Sequence, residues 1–262
     1  MSAATFVTPG PIVATVTVAG ARVRVTASDR TDTAVLVEPI DKASQSDVKV
    51  ANKTKIDFGG GHLTVKTTVS GDKNGSVAIA IDLPVGSSLV AYLAHSTVQA
   101  DGPLGECELH MASDRVQLDR IDALHANIGA GEVSVGHIAG RAKIESKAGQ
   151  VWIGHASGDL DLRNGSGGFD ISRADGNVTA TTADGAIRIG RMRRGQAELM
   201  NRSGNIEVGI GEDTVASVDA NSERGSVHNS VPSLKNPDTG DNKVTVRART
   251  RYGDIMIRRA TS

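Results

Sequence analysis

The sequence is poor in aromatic side chains, with three Phe, two Tyr and one Trp among 262 residues. Rings normally supply much of the buried area of a large core, so their scarcity argues against a helical bundle and against conventional ring-packed layers. The core has to be assembled from many Val, Ile, Leu and Ala side chains. Cysteine is nearly absent too: Cys107 stands alone, and a single thiol cannot close an internal disulfide, which fits a reducing compartment. Apolar runs are short. Nowhere do 18 apolar residues stand together, and the opening MSAATFVTPGP shows no basic segment leading into an apolar one. No membrane-spanning helix and no secretory leader are expected, so the chain reads as soluble and cytoplasmic.

Neither charge is in excess. Lys plus Arg number 29 and Asp plus Glu 30, a formal charge of −1, which provides no global field to steer the chain to nucleic acid or to an anionic membrane. Recognition by charge has to be local. Catalytic signatures are missing as well: there is no GxSxG elbow, P-loop, HExxH, or GxGxxG between a strand and a helix. Polysaccharide lyases and hydrolases built on β-helices need clustered carboxylates or a calcium site on one face. Asp161 and Asp170 fall on different strands and lack company. The expectation is a non-enzyme without a cofactor or metal.

What is abundant is a repeat. AGQVWIGHASGDL at 148–160 returns as SGGFDISRADGNV and again as ADGAIRIGRMRRG. Anchored on the first apolar residue after each Gly-containing turn, the series is Val98, Val116, Val133, Val151, Phe169, Ile187 and Ile206. The spacing is 17 to 19 residues throughout, and periodicity of this kind marks a solenoid. The residue two beyond each anchor is again apolar, as are those nine and seven before it, and in the earlier coils so is the one five before it, at Leu93, Met111 and Ile128. Such alternation puts every second side chain on one face of a strand. A third apolar contact, five residues after the anchor, falls on Ile121, Ile138, Ala156, Ala174 and Met192. Three walls around one core describe an all-β, single parallel β-helix (β-solenoid) of about 18 residues per coil, with right-handed winding expected from the hand of parallel crossovers. A left-handed hexapeptide helix needs one apolar residue every six, which these offsets do not give.

The pattern implies one solenoid domain over residues 1–262. Residues 1–88 form wider, decorated coils with a short helix near 44–53, and 89–228 form the regular coils. Residues 229–243, rich in Pro, Asn, Asp and Gly, form an inserted loop, and 244–262 form a closing coil. Ile56 with Phe58, and Leu63 with Val65, read as two successive strands of one early coil. The edge near Ile255 to Arg258 reads as the open C-terminal end, guarded by Arg258 and Arg259.

Equal phases of successive coils become columns. Ser146, Asn164, Thr182, Asn201, Ser222 and Thr250 fall at the inward end of the first strand, where amides and hydroxyls can serve turn backbone. Outward, Lys143 should face Asp161 and Glu145 should face Arg163 across coils. More suggestive is Arg120, His137, His155, Arg173 and Arg191, one column through five coils. Like charges stacked this closely repel, so either Asp119, Asp122 and Asp175 neutralise them or the column takes an anionic ligand. Two imidazoles one coil apart could share a metal, but no third ligand completes a set. Trp152 lies between inward Val151 and Ile153 and therefore points outward, with Ser134 and Asp170 as neighbours too small to cover it, a candidate partner contact. Cys107 sits at an inward offset and reads as packing.

Laid out this way, the chain resembles the bacterial β-strand-repeat family of unknown function whose members carry the label of candidate adhesins. The resemblance rests on TPGPIVATVTVAGARVRVTASDRTDT near the start, DLPVGSSL at 82–89, GPLGEC at 102–107, VWIGHASGDL at 151–160 and VRARTRYGDIMIRR near the end. It implies a β-helical fold and supplies no activity, substrate or catalytic residue. The leading functional expectation is a non-catalytic cytoplasmic interaction or scaffold module with a protein partner, and a homodimer through a flat face or a solenoid end. Alternatives are a module binding an anion or acidic glycan through the Arg/His column, an adhesin-like surface protein, and an unrecognised β-helix enzyme.

Overall fold

The structure is a computed structural model that describes residues 2–67, 75–231 and 242–260. It is a parallel β-solenoid with one short helix, and the chain falls into two compact units, Met1–Glu132 and Val133–Ser262. The first unit holds β1 (Ser2–Val7), β2 (Val13–Ala19), β3 (Ala21–Ser28), β4 (Asp32–Pro39), α1 (Gln45–Lys53), β5 (Lys55–Gly59), β6 (His62–Lys66), β7 (Val77–Pro84) and β8 (Ser88–Ala94). The chain leaves it within β9 (Thr97–Ile138), an extended stretch that turns corners at Gly102 and Gly131. The second unit continues with β10 (Ala142–Ala148), β11 (Gln150–Ala156), β12 (Leu160–Ser166), β13 (Phe169–Ala174), β14 (Val178–Asp184), β15 (Ile187–Met192) and β16 (Gly195–Ser203). It closes with β17 (Ile206–Ile210), β18 (Val215–Arg224), β19 (Val227–Asn229), β20 (Lys243–Tyr252) and β21 (Ile255–Arg259).

In the second unit the repeat becomes parallel register. Val151 pairs with Phe169, Phe169 with Ile187 and Ile187 with Ile206. Leu160 pairs with Val178 and Val178 with Ala197. Each inward position is at most 2% exposed, and the third-wall residues Ala156, Ala174 and Met192 are fully buried. The inward polar column does serve the turns: Asn164 Nδ2 donates to the Gly149 carbonyl at 2.8 Å, Thr182 Oγ1 to Gly167 at 3.0 Å and Asn201 Nδ2 to Gly185 at 2.9 Å. One corner shows why glycine recurs. Gly167 has φ +116°, and a Cβ there would lie 1.9 Å from the Gly149 carbonyl oxygen, so only hydrogen fits the stacked turn.

Two expectations need correction. First, coils do not stack in chain order at either end. β2 lies between β6 and β8, and β3 between β7 and β9. Likewise β20 lies between β16 and β18, and β21 between β17 and β19. The polar column therefore runs Asn201, Thr250, Ser222, and the strand containing Ile255 to Arg258 is interior to its sheet. Arg258 and Arg259 guard no edge: they bond Glu207 and the carbonyls of Gly211 and Thr214. Charge favours this order. Arg247 faces Glu198 on one side and Asp219 on the other, whereas stacking β18 directly on β16 would set Asp219 against Glu198.

Second, Ile56, Phe58, Leu63 and Val65 do not form two strands of one coil. β5 and β6 make an antiparallel hairpin with Ile56 opposite Val65 and Phe58 opposite Leu63, closed at Gly60 and Gly61, both with positive φ. The Gly-Gly-Gly tip supplies the turn chemistry that periodicity overlooks. Lys143 faces Asp161 and Glu145 faces Arg163 across coils, as expected, and ion pairs also run along each strand, Lys143 to Glu145 at 2.9 Å and Asp161 to Arg163 at 3.4 Å. Side chains two apart on one face reach one another as readily as those across strands. The helix near 44–53 is α1, capped by the Ser44 hydroxyl accepting from Asp47 N. Of the inserted loop, residues 232–241 lie outside the described residues.

Candidate functional site

The Arg/His column divides between the units. Arg120 belongs to the first, where its Nε lies 3.5 Å from the Asp119 carboxylate. His137, His155, Arg173 and Arg191 belong to the second, on the outer side of consecutive coils. His155 is in register with Arg173, and Arg173 with Arg191. The two imidazoles meet Nδ1 to Nδ1 at 3.1 Å with ring centroids 4.7 Å apart. A contact between those nitrogens requires one to donate and the other to accept.

Asp175 is the organising group. Its side chain is 12% exposed, and Oδ2 takes His155 Nε2 at 2.9 Å and Arg173 Nη2 at 2.7 Å. Burial pushes this carboxyl upward, but the hydrogen bonds and charges of Arg173 and His155 outweigh it and hold it below the usual aspartate range. Arg194 Nε donates to the Asp175 backbone carbonyl at 2.8 Å. The column is thus largely neutralised from within, as the spacing of Asp175 allows one to expect; Asp119 plays the same part for Arg120. Arg191 stands apart, its Nε buried and without a hydrogen-bond partner. Among the described residues no cluster of His, Cys, Asp and Glu is arranged to hold a metal ion. Cys107 is fully buried, and burial pushes its thiol up to about 12, so it stays protonated.

Trp152 does point outward. Its side of β11 faces Asp170 in register, and the residue is 38% exposed. It heads a feature that the sequence reading overlooked. Arg188 lies 3.2 Å from Asp170 and 3.7 Å from Glu207, and Arg258 Nη2 lies 2.5 Å from Glu207. Asp170, Arg188 and Glu207 follow the phase one residue after each anchor, a spacing that could have disclosed them, whereas Arg258 reaches Glu207 from two positions further along β21. The first unit carries two more unforeseen features. The Tyr92 and His110 rings stack at 4.7 Å, with His110 bonded to Glu108. A trough of about 410 Å³ runs over Ala78 and Ala80 between Leu36 and Glu38 on one side and Arg22 and Arg24 on the other. It exists because β7 presents only methyl groups between two strands of long side chains.

Fold and surface together define a β-solenoid whose outer charges are mostly paired with one another and whose one tryptophan is left open. Residues 14–258 match the family Toastrack DUF4097, and the chain belongs to that family. Solved structures resembling it include candidate adhesins from Bacteroides fragilis (12% identity, 98% of this chain and 96% of the other, TM-score 0.47) and Parabacteroides distasonis (13%, 97% and 96%, 0.46). A candidate lipid-binding protein from Parabacteroides distasonis is similar at 12% identity, over 99% of this chain and 96% of the other, with a TM-score of 0.35. Among curated proteins, none matches the chain.

Proposed function

We propose that the chain is a non-catalytic binding scaffold of the cytoplasm that engages a protein partner through the outer face of β11 and β13, with Trp152 as the anchor. The observation that carries this reading is the indole of the sole tryptophan, 38% exposed beside a ladder whose charges already have partners. Tryptophan is enriched among residues that dominate interface energies. Charges paired within the scaffold need not be stripped of their counter-charges on docking, which removes a large cost of burial. The lone cysteine supports the cytoplasmic setting. The test is affinity capture from native extract with wild type and Trp152→Ala as baits, the fold of each checked by circular dichroism. Loss of a specific protein from the variant alone, with a blue shift of Trp152 fluorescence on adding the purified partner to wild type, is the expected result. A partner held equally by both baits overturns the reading.

A second reading is favoured by Arg191, whose buried Nε lacks a partner beside Arg173: an acidic ligand held by this end of the column. Binding that falls with salt and is lost when Arg173 and Arg191 are both changed to Glu supports it; an anion panel that gives no titration retires it.

A further inference from the structure

We infer that two copies of this chain associate about a two-fold axis through the outer edge of β18, pairing the strands antiparallel with Val218 opposite its counterpart. Among the described residues β18 pairs only with β20. Its inward phase is left half-covered: Ala216, Val218 and Ala220 are of intermediate burial, while their register partners Val244, Val246 and Ala248 on β20 are fully buried. Val227 on the adjoining β19 is 41% exposed. The edge is ten residues long and has no proline, no lysine, and no charge in the inward phase before Arg224 at its end.

The sequence of β18 also selects a partner. In an antiparallel pair, residues directly opposite share a face, so joining core to core requires inward residues to oppose inward residues. Four two-fold registers near the middle of the strand meet that condition. One sets Asp219 against its own copy and another sets Asp219 against Glu223, and both are disfavoured by like charge. A third, centred on Ala220, sets Ala216 against Arg224. The fourth, centred on Val218, joins Val218 to Val218 and Ala216 to Ala220 on the inward face, and Ser217 to Asp219 on the outward face. It buries only apolar groups inward and opposes no like charges. A surface that matches itself in this way forms a closed isologous dimer and not an open filament, because each edge is consumed by its copy.

Sedimentation velocity of the full chain from 1 to 100 µM tests the inference, with a species of twice the monomer mass expected to grow with concentration. Val218→Lys, which sets a charge in the inward phase, should leave a monomer with an unchanged circular dichroism spectrum. Since the only native cysteine is buried, Val218→Cys under mild oxidation should yield a disulfide-linked dimer, and Ala220→Cys should do so far more slowly. Wild type that remains monomeric at 100 µM overturns the inference. So does a dimer that survives Val218→Lys, or one that cross-links faster through Ala220→Cys. None of these readings involves Trp152, so the outcome is independent of the proposed partner face.

Discussion

The two units use the same device and finish it differently. In each, two strands close to a chain terminus are threaded between two others, β2 and β3 in the first unit and β20 and β21 in the second. In the first unit the strands outside them are covered. β5 folds back on β6, β4 runs antiparallel along β7, β1 extends β4, and α1 packs on β4 and β7. Leu63, Val65, Ile79 and Ile81 are in consequence no more than 2% exposed. In the second unit β18 and β19 have no such cover among the described residues, and their inward side chains are half-open. Threading pins a strand by giving it two neighbours. It does not close a core, for which antiparallel strands and a helix are needed.

The largest effect should come from a corner glycine, a feature that decides whether coils stack at all. Gly167→Ala in the second unit would place a methyl group into the Gly149 carbonyl at positive φ. Overpacking of about 1–3 kcal/mol adds to strain of about 1–3 kcal/mol for a non-glycine there. Gly60→Ala at the hairpin tip of the first unit meets no atom within 4 Å and incurs only the strain of its positive φ. Urea unfolding of the two variants should rank them in that order; equal losses would mean that the corners have room to relax.

The difference in cover itself is measured by one substitution made at both ends. Val65→Ala removes two methyl groups from a fully buried site and should cost about 2–3 kcal/mol, whereas Val218→Ala at the half-open edge should cost under about 1 kcal/mol. The comparison is made at a protein concentration at which sedimentation shows the chain to be monomeric. A Val218→Ala loss as large as that of Val65→Ala would show that the C-terminal end is covered after all.

Acid should probe the units through different carboxylates. Asp47 in the first unit accepts from the backbone N–H groups of Ser76 and Asp41 and from the Ser44 hydroxyl, and those bonds hold it below the usual aspartate range. Asp175 in the second is lowered by Arg173 and His155 against the opposing effect of burial. A carboxyl whose folded pKa is depressed adds stability above its unfolded value of about 3.9, and that stability is lost as pH falls through the folded pKa. At pH 7, Asp47→Asn and Asp175→Asn should each cost about 1–3 kcal/mol. The penalty should shrink below pH 4 as the wild-type carboxyls protonate. Hydrogen exchange should report the first loss in α1 and the second in β11 and β13. A penalty constant down to pH 2 would remove the carboxylate charge from the explanation.

How much of this was legible depends on whether a feature recurs. Val151, Phe169 and Ile187 repeat a phase, so the sequence states their column outright, and the inward ladder of Asn164, Thr182 and Asn201 could be read in the same way. The placement of β20 could not. Its phase is correct, but phase says nothing about order along the stack, which turns on whether Arg247 lies between Glu198 and Asp219. The hairpin of β5 and β6 was hidden by its own alternation, since Ile56 to Val65 has the same period in a hairpin as in a coil. In the candidate site, the Arg/His column and its neutralising Asp175 were visible because they follow the repeat. The trough over Ala78 and Ala80 was not, because it arises where antiparallel β4 meets the solenoid and nothing repeats.

The smallest effect concerns the charges beside the threaded strands. In the second unit Glu207 accepts from Arg258 and lies within ion-pair distance of Arg188, with all three side chains between 30% and 50% exposed. In the first unit the comparable contact, Arg24 to Asp101, spans 3.7 Å between side chains 63% and 45% exposed. A shared, partly covered carboxylate retains more of its Coulomb energy than an isolated pair facing water, because less solvent lies between the charges and one ordered group serves two partners. Glu207→Gln should therefore cost about 0.5–1 kcal/mol and Arg24→Gln nothing measurable. Raising salt from 0.1 to 1 M shortens the screening length from about 10 Å to about 3 Å. That should erase part of the Glu207→Gln penalty while leaving Arg24→Gln unchanged. Equal and salt-independent losses at the two sites would mean that β21 and β3 are both held by their inward Ile and Val side chains, with the outer charges setting only which strand lies next to which.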